Sequence, residues 1–388
     1  MNCKKCYSPS TVILRKKDYY CDNCFMLITN HKFRACLGKN KVLIPYENVM
    51  IGLSGGVGST VLLDLVHHAT SLENTKKLRI SPFCLHLYDD DSRELAESII
   101  KQCQTYKIDV FVVHQAVYIN SKYELPEANT LQKICESERR DFKDLMNSMP
   151  PSAANDFLLK IKRILLVEFA KKINCSVVFT AETTNTLAVN LLTNLAIGRG
   201  SQVQYDVGFC DNRDDKVKII RPIKDISIEE LNYYVSIKQL TPVNYNHIKS
   251  KSLQSVISSF VSELQDNFQA TISTVCKTAD KIGDQRESIN SEKCLICESD
   301  LDMKNMKMSA FEATNVSRIV SLKDSQADPT YQETSDILHH MQNNTNTSVF
   351  PLINKYLCYG CSRNHSEMNL HKLPNQLQKA LRTNNLGI

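Results

Sequence analysis

The sequence predicts an α/β protein, with a Rossmann-like parallel sheet, flanking helices and a small metal-binding module at each end. Three observations support this prediction. Short apolar runs alternate with helical stretches through the middle of the chain, which is the pattern of βαβ units. A loop rich in glycine and serine joins the first of these runs to a helix. Cysteine pairs with Cys-x-x-Cys spacing stand near both ends, and such spacing is typical of metal ligands.

The first module, residues 1–30, contains two of the four cysteine pairs: Cys3 with Cys6, and Cys21 with Cys24. Two short strands are predicted between these pairs, over Thr11–Arg15 and Asp18–Tyr20. Four thiolates at this spacing can surround one tetrahedral zinc ion. A segment with so little apolar core needs such an ion to fold. The sequence therefore predicts that these four cysteines bind zinc.

The N-terminal part of the chain is basic. Residues 1–45 hold nine lysines and arginines against two aspartates, an excess larger than the +5 of the whole chain. This charge is either an ordinary solvated surface or a contact for a polyanion. The neighbouring zinc module favours the second interpretation, and the predicted RNA contacts are Arg15, Lys16 and Lys17.

Residues 31–225 are predicted to form the α/β domain. A connector helix begins near His31 and ends at Gly38, a residue that commonly ends helices. Five strands are predicted, over Asn48–Leu53, Pro82–Tyr88, Asp109–His114, Ser176–Thr180 and Val217–Arg221. Five helices alternate with them, over Ser59–His68, Ser92–Tyr106, Arg139–Met146, Asn155–Ile173 and Thr186–Ile197. The helix after Asn155 is the clearest, because its apolar residues recur at helical spacing and so predict a core face.

The remaining chain is predicted to hold a helical extension, residues 226–290, and a second cysteine module, residues 291–388. The extension has helices over Ser227–Ile237 and Leu253–Lys281. The predicted metal ligands of the second module are Cys294, Cys297, Cys358 and Cys361. The polar segment between its two pairs, Ser299 to Leu357, is predicted to be partly a disordered insertion. One zinc ion joining the pairs is favoured, because closure entropy grows slowly with loop length, and two unrelated pairs are the alternative.

The chain is predicted to be cytoplasmic and to have no membrane partner. Its N-terminus lacks the apolar segment of a signal peptide, and no run approaches the ~18 apolar residues of a spanning helix. In a reducing compartment, Cys-x-x-Cys pairs indicate metal or redox chemistry and not a disulfide framework. Most of the other seven cysteines are expected to be small buried apolar residues.

The loop Ser54-Gly-Gly-Val-Gly-Ser59 has the composition of a phosphate site. Glycines let the backbone approach a phosphate, and the following helix adds its N-terminal dipole. The predicted nucleotide-binding residues are Ser54, Gly55, Gly56 and Ser59. The loop lacks a Gly-Lys-Ser/Thr ending, so a Walker A loop is excluded. A glycine loop alone is weak evidence, since tight strand–helix turns also use glycine.

These motifs together resemble a known family. The Ser-Gly-Gly-x-x-Ser loop after the first strand resembles the pyrophosphate loop of ATP pyrophosphatases. A zinc module, His31-Lys-Phe-Arg34 and that loop, in this order, resemble tRNA thiolases of the same superfamily. With Arg221-Pro-Ile-Lys224 and Cys358-Tyr-Gly-Cys361, the chain is most similar to the cytoplasmic tRNA 2-thiolation protein 2 family. The resemblance implies a pyrophosphate-loop ATPase fold and a role in thiolating the wobble uridine. It also implies a heterodimer with a catalytic thiolase, tRNA as substrate and a ubiquitin-related sulfur carrier.

The chain departs from the pattern of an active thiolase at several positions. The loop carboxylate of active members is replaced by Gly58, which cannot help organise magnesium. Of the cysteine pair expected before Arg139-Arg140, only Cys135 is present and Gln132 takes the other place. No cysteine follows near Pro242–Tyr245, where a third is expected. Three cysteines could hold an iron–sulfur cluster or carry persulfide, whereas Cys135 alone is expected to be a leftover buried thiol.

The sequence therefore predicts a non-catalytic subunit of a tRNA 2-thiolation complex, in which zinc is the cofactor and ATP binding stays open. One alternative is an active ATP-dependent tRNA sulfurtransferase. Another is a zinc-ribbon nucleic-acid-binding protein whose α/β domain is only a scaffold. ATP turnover by the isolated chain would distinguish the first alternative, and stable association with a catalytic thiolase would argue against the second.

Overall fold

The computed structural model describes residues 1–71, 77–120, 123–243, 251–268, 271–283, 292–301 and 356–366. The strands are β1 (Val12–Leu14), β2 (Asp18–Tyr20), β3 (Glu47–Leu53), β4 (Ile80–Tyr88), β5 (Val110–His114), β6 (Cys175–Phe179), β7 (Cys210–Asp211) and β8 (Lys218–Ile220). The first helices are α1 (Asp22–Asn40), α2 (Val57–Thr70), α3 (Arg93–Thr105), α4 (Glu136–Asn147), α5 (Pro151–Lys172) and α6 (Thr184–Ala196). They are followed by α7 (Val203–Val207), α8 (Ile228–Lys238), α9 (Leu253–Asn267), α10 (Thr271–Gly283) and α11 (Tyr359–Ser366).

The centre of the fold is a six-stranded sheet with the order β5-β4-β3-β6-β8-β7. Five strands are parallel, and the short edge strand β7 pairs with β8 in the antiparallel direction. The order reverses at β3, which lies between β4 and β6. This topology confirms the predicted Rossmann-like parallel sheet with flanking helices.

Side chains of β3 alternate between two apolar layers, as period-2 geometry requires. Val49 and Ile51 are fully buried on one face, in the same cluster as Leu62 of α2. Met50 is fully buried on the other face, in the same cluster as Ile161 of α5. Both faces are therefore covered, which explains why the parallel strands appear in the sequence as nearly continuous apolar runs.

The helix starts differ from the sequence prediction at functionally relevant places. Helix α2 begins at Val57, two residues before the predicted start, so Gly58 lies in its first turn. Helix α5 begins at Pro151, because proline is well accommodated in the first turn of a helix. Helix α4 begins at Glu136, directly after Cys135.

The predicted connector helix is wrong in its bounds. Helix α1 begins at Asp22, inside the second cysteine pair, and continues to Asn40. Gly38 lies within it, and Lys41, the residue directly after the helix, has a left-handed φ of 47°. The helix continues past Gly38 because Phe25, Phe33 and Leu37 bury one side of it against the α/β core. Tertiary packing thus overrides the helix-ending tendency of glycine.

The predicted single helix over Leu253–Lys281 is two helices. At Phe268 the backbone leaves the helical region, with φ −136° and ψ 71°, and α9 ends there. Helix α10 follows from Thr271. Most of the predicted polar insertion between Ser299 and Leu357 lies outside the described residues. Within the described ranges, no helix has the length and apolar character needed to cross a membrane.

Candidate functional site

The glycine loop forms a sharp strand-to-helix turn at the end of β3. Gly55 has φ +81°, and a Cβ atom there would lie 2.8 Å from Leu95 Cδ1, so only glycine fits. The Ser54 hydroxyl donates to Ser59 Oγ at 3.3 Å, and the Ser59 hydroxyl donates to the Gly56 carbonyl at 3.0 Å. Ser59 is buried and serves the turn itself, whereas Ser54 is exposed. The four predicted loop residues thus lie together, and Ser54 is the hydroxyl open to a ligand.

A cavity of about 570 Å³ lies beside this loop. Its wall includes Ser54 after β3, Ala181 and Glu182 after β6, and Arg221 after β8. Ligands of open α/β sheets bind beyond the carboxyl ends of the strands, where the strand order reverses. The cavity occupies that position and is the place where this fold can hold a small molecule.

The position of the absent loop carboxylate is blocked by the neighbouring backbone. A Cβ atom added at Gly58 would lie 2.9 Å from the carbonyl oxygen of Ala181. This oxygen belongs to the segment that follows β6 and cannot rotate away as a side chain would. A carboxylate at position 58 would therefore require this backbone to move. The close approach of the Ala181 carbonyl therefore favours glycine over an acidic residue at position 58.

Most cations in the cavity wall are neutralised by carboxylates. Lys160 Nζ lies 3.0 Å from Asp206, and Arg163 Nε lies 2.7 Å from Asp211. Arg213 bridges both aspartates at 2.6 Å. Burial alone would raise the pKa of Asp206, but Lys160 and Arg213 hold it well below the ordinary value. These groups stay charged and are occupied with one another, so they are poor candidates for neutralising a polyphosphate.

Lys162 is the exception in this wall. No described residue forms an ion pair or hydrogen bond with its side chain, although it lines the cavity. Burial lowers the pKa of Lys162, an effect that Asp89 partly opposes. The nearby His86 donates from Nδ1 to the Leu53 carbonyl at 2.7 Å, while its Nε2 has no partner among the described residues. Burial lowers the pKa of His86 to about 4, so this ring is neutral at physiological pH.

Several other buried polar atoms of the cavity wall have no hydrogen-bond partner within the described ranges: Glu182 Oε2, Thr193 Oγ1, Arg221 Nε and Gln254 Oε1. Both donors and acceptors occur among them. Arg221 Nε lies 3.9 Å from Glu182 Oε1, which is an ion-pair distance. Buried polar groups are normally satisfied by protein, water or ligand. The cavity is therefore suited to hydrated or polar contents and not to an apolar ligand.

The N-terminal cysteines come together between the β1–β2 hairpin and the start of α1. The four sulfur atoms of Cys3, Cys6, Cys21 and Cys24 lie within 4.8 Å of one another. A tetrahedral zinc ion with Zn–S bonds of about 2.3 Å holds its sulfur atoms about 3.8 Å apart. The arrangement fits such an ion after small side-chain adjustments. Cys3 is fully buried and Cys6 is exposed, as expected for a small surface module.

The C-terminal pairs also come together, although residues 298–357 separate them in sequence. The sulfur atoms of Cys294, Cys297, Cys358 and Cys361 lie within 4.8 Å of one another. Cys297 Sγ and Cys358 Sγ, one from each pair, are 3.7 Å apart. This spacing fits one mononuclear tetrahedral ion. An iron–sulfur cluster of several irons would need inorganic sulfide between the ligands and so a wider opening.

Unlike the N-terminal site, this second site is buried inside the α/β domain. Its four cysteines are each 1–2% exposed and belong to the same apolar cluster as Tyr118 and Phe157. Two cavity-wall side chains support it. Arg163 Nη1 contacts Glu298 at 2.5 Å, and Arg213 Nη1 donates to the Cys297 carbonyl at 3.2 Å.

The predicted RNA-contact residues lie at the tip of the β1–β2 hairpin. Arg15 and Lys16 have left-handed backbone with φ of 51° and 56°, which makes the tight connection. The side chains of Arg15, Lys16 and Lys17 are all exposed. Lys16 also lines a shallow groove of about 670 Å³ with Tyr233 of α8. The geometry leaves the three cations accessible to an anionic surface.

The remaining thiolase-like positions are structural in this chain. Gln132 Oε1 accepts from the His114 amide at 3.2 Å, and its Nε2 donates to the Glu124 carbonyl at 3.2 Å. The prediction that Cys135 is buried is wrong, because this residue is exposed at the start of α4. Its thiol lies 3.1 Å from Ser137 Oγ, and this contact lowers the pKa of Cys135. The position expected for a third cysteine, Pro242–Tyr245, lies partly outside the described residues.

Sequence reasoning missed the buried arginines near the C-terminal cysteines. Arg199 and Arg213 are 1% and 5% exposed and contact both cysteine segments and aspartates. Arg199 contacts Asp156 and Cys361, which are far away in sequence, so no local pattern marks it as buried. Arg213 has Asp206 and Asp211 nearby in sequence, but its contact with the Cys297 carbonyl is long-range.

Comparison with known proteins agrees with this geometry. Residues 252–363 match the family model described as Cytoplasmic tRNA 2-thiolation protein 2. A protein of that name from Drosophila willistoni is 31% identical over 340 residues, covering 83% of each chain. The Anopheles gambiae protein of the same name is 29% identical and covers 95% of this chain and 92% of its own. Among solved structures, the U34-tRNA thiolase NcsA from Methanococcus maripaludis with its [4Fe-4S] cluster has the same fold, with TM-score 0.58 and 20% identity. The match covers 76% of this chain and 89% of that one.

Proposed function

The chain belongs to the cytoplasmic tRNA 2-thiolation protein 2 family, and from this premise we propose that it is a non-catalytic subunit of the complex that thiolates the wobble uridine of tRNA. The family and its relatives connect it with tRNA 2-thiolation and, by name, with the cytoplasm. Its own part would be to provide a folded, metal-supported surface for a catalytic thiolase and for tRNA. The sulfur chemistry would belong to the partner.

The contact between Gly58 and Ala181 carries this proposal. A pyrophosphate-loop enzyme needs a carboxylate near the phosphates to organise magnesium, and here a side chain at that position would collide with backbone at 2.9 Å. The buried cations beside the loop give further support, since Lys160, Arg163 and Arg213 are paired with aspartates. On this proposal Ser54, Gly55, Gly56 and Ser59 are a vestigial nucleotide site.

The cysteines present at the positions expected for sulfur transfer also support a non-catalytic role. Sulfur transfer in the active pattern uses a group of cysteines, and at the corresponding positions this chain has only Cys135, with Gln132 in the place of the other cysteine. Gln132 Oε1 accepts from the His114 amide of β5, and its Nε2 donates to the Glu124 carbonyl, so its amide is used in structural contacts. Cys135 is therefore an isolated exposed thiol without a resolving cysteine next to it in sequence.

One feature favours the alternative of an active sulfurtransferase. The cavity of about 570 Å³ is open to the exposed Ser54 and holds the unpaired Lys162, so a nucleotide has space to bind. The zinc-ribbon alternative has less support, because the family is one of tRNA thiolation and the sheet carries a formed cavity. ATP turnover to AMP and pyrophosphate by the isolated chain separates an active enzyme from a non-catalytic subunit.

The proposed partners follow from the same reasoning. A catalytic thiolase forms the heterodimer, and a ubiquitin-related carrier delivers sulfur through the complex. The exposed Arg15, Lys16 and Lys17 contact tRNA phosphates. Zinc is the ion proposed for both cysteine sites, because four thiolates with tetrahedral spacing form its preferred structural environment. Bound there, zinc supplies folding free energy and performs no step of the reaction.

The proposal is tested by reconstitution. The purified chain alone should not convert uridine to 2-thiouridine with ATP and a sulfur source, whereas the complex with its co-purified thiolase should. Mass spectrometry of proteins and RNA retained with the chain identifies the partner and the tRNAs.

A further inference from the structure

Arg199 lies in the connection between α6 and α7, and its side chain is 1% exposed. It is the largest fully buried side chain in the described ranges. A buried guanidinium is costly unless it is paired and hydrogen-bonded. The groups around Arg199 should therefore include its ion-pair and hydrogen-bond partners.

The guanidinium of Arg199 joins a carboxylate to a predicted metal ligand. Nη1 and Nη2 donate to the two oxygens of Asp156 at 2.6 and 2.7 Å. Nη2 also lies 3.3 Å from Cys361 Sγ. Asp156 in turn accepts from Asn364 Nδ2 at 2.6 Å. Arg199 and Asp156 therefore both contact α11, Arg199 through Cys361 and Asp156 through Asn364. Asp156 also lines the cavity.

The second cysteine pair is shaped around this arginine. A Cβ atom at Gly360, between Cys358 and Cys361, would lie 2.6 Å from Arg199 Nε and 2.8 Å from its Cγ. Glycine at this position is therefore what allows the guanidinium to reach the sulfur. The contact is built by the knuckle and by the helix connection together, and it is not an accident of a flexible surface side chain.

The charge of the site explains why a cation is needed. One zinc ion with four thiolates carries a net charge of minus two, and these thiolates are buried away from water. An N–H donor on a ligand sulfur stabilises the thiolate form, and groups of this kind orient metal ligands and tune their affinity. The carboxylate of Asp156 then fixes the guanidinium in the bonding position.

We propose that Arg199 is a positioning residue of the C-terminal metal site, which bonds Cys361 on one side and Asp156 on the other and so connects the metal site to the cavity wall through Asp156. This inference rests on the zinc site proposed above. The C-terminal metal site would then be more than a separate terminal module. Loss of the ion would free the Arg199 side chain and so disturb its contact with Asp156 inside the α/β domain.

The test compares full-length variants loaded with zinc or Co²⁺. Wild type should hold two ions, and competition with a chromogenic chelator should give one dissociation constant per site. Arg199→Met should lower affinity at one site by about 10- to 100-fold and shift the sulfur-to-cobalt charge-transfer band of that site. The N-terminal site is an internal control. Arg221→Met is the matched control, because this buried arginine donates to the carbonyls of Gly208 and Tyr205 and, among the described residues, its side chain bonds no cysteine.

Arg199→Lys provides a second variant that keeps the charge if the methionine variant does not fold. It should also weaken the C-terminal site, because an ammonium cannot bond Asp156 at two points and reach Cys361 together. Unchanged chelator competition and an unchanged cobalt spectrum in the folded variants would overturn the role of Arg199. A wild-type protein that binds no ion at these four cysteines would instead overturn the metal site itself, and the role of Arg199 with it.

Discussion

The carbonyl oxygen of Ala181 lies where it would meet the first side-chain atom at Gly58, at 2.9 Å. Gly58 is in the first turn of α2, and Ala181 follows β6 on the adjacent strand. The first turn of α2 and the segment after β6 thus pack so closely that a side chain at position 58 has no space, although the two are remote in sequence. This relationship gives the non-catalytic interpretation a physical basis beyond the missing motif residue.

Gly58→Ala tests this contact directly. The added methyl group should lower the free energy of unfolding by about 1–3 kcal/mol, as overpacking against a fixed neighbour does. Gly38→Ala is the control, because a Cβ atom there meets nothing within 4 Å and alanine favours the helix. It should raise the stability by about 0.5–1 kcal/mol. Urea unfolding of both variants gives the comparison, and equal stability of Gly58→Ala and wild type would remove the steric argument.

His86 should make the protein sensitive to mild acid. Its pKa is lowered to about 4 by burial, whereas an unfolded histidine has a pKa of about 6.5. The unfolded state therefore binds more protons between these values, and stability falls as the pH falls through this window. Between pH 7.5 and 5.5 the loss from this residue should be about 1 kcal/mol.

His86→Asn, which can still donate to the Leu53 carbonyl, should show a smaller loss over the same pH range. Comparing the pH dependence of urea unfolding in the two proteins isolates the histidine from the carboxylates, which titrate lower. An identical pH dependence in both would mean that His86 accepts a proton in the folded state.

The two cysteine sites should each bind one ion independently. Cys3→Ala with Cys6→Ala should remove one ion and unfold the N-terminal hairpin while the α/β domain stays folded. Cys294→Ala with Cys297→Ala should remove the other and lower the melting temperature more, because these cysteines lie in the main apolar cluster. Elemental analysis and thermal unfolding measure both effects. Loss of both ions in either variant would contradict two separate sites.

The hairpin tip should contribute to tRNA binding. Replacing Arg15, Lys16 and Lys17 by glutamine should weaken binding by the assembled complex. It should also reduce the salt dependence by about 0.7–0.9 per lost phosphate contact. Glutamine at the exposed Lys101 and Lys107, on and just after α3, controls for general charge. If the hairpin variant and the control have the same salt slope, the hairpin charge serves ordinary solvation.

Regular patterns in the sequence were sufficient to predict the strands of the central sheet and the position of the glycine loop. The apolar runs at Asn48–Leu53 and Ser176–Thr180 predict β3 and β6, because strands buried on both faces leave a continuous local signal. The same holds for cysteine pairs, whose spacing is set by one ion. The continuation of α1 past Gly38 was not predictable, since it depends on apolar contacts with distant segments.

The buried polar contacts had no such local signal. Arg199 bonds Asp156 and Cys361, which are separated from it by long stretches of chain. The residues next to Arg199 in sequence therefore do not indicate that its side chain is buried. Cys135 gives the opposite error, because a lone cysteine is usually buried and this one is exposed at the start of a helix. Its exposure follows from where the helix begins and not from residue type.

We propose that this chain supports tRNA thiolation without performing it. The most direct measurement is the formation of 2-thiouridine in tRNA by the purified chain, with ATP, magnesium and a sulfur donor, in the presence and absence of its catalytic partner. We expect no product from the chain alone and product from the complex, with Cys135→Ala as active in the complex as wild type. Production of 2-thiouridine by the chain free of any partner would contradict a non-catalytic role and establish an active sulfurtransferase.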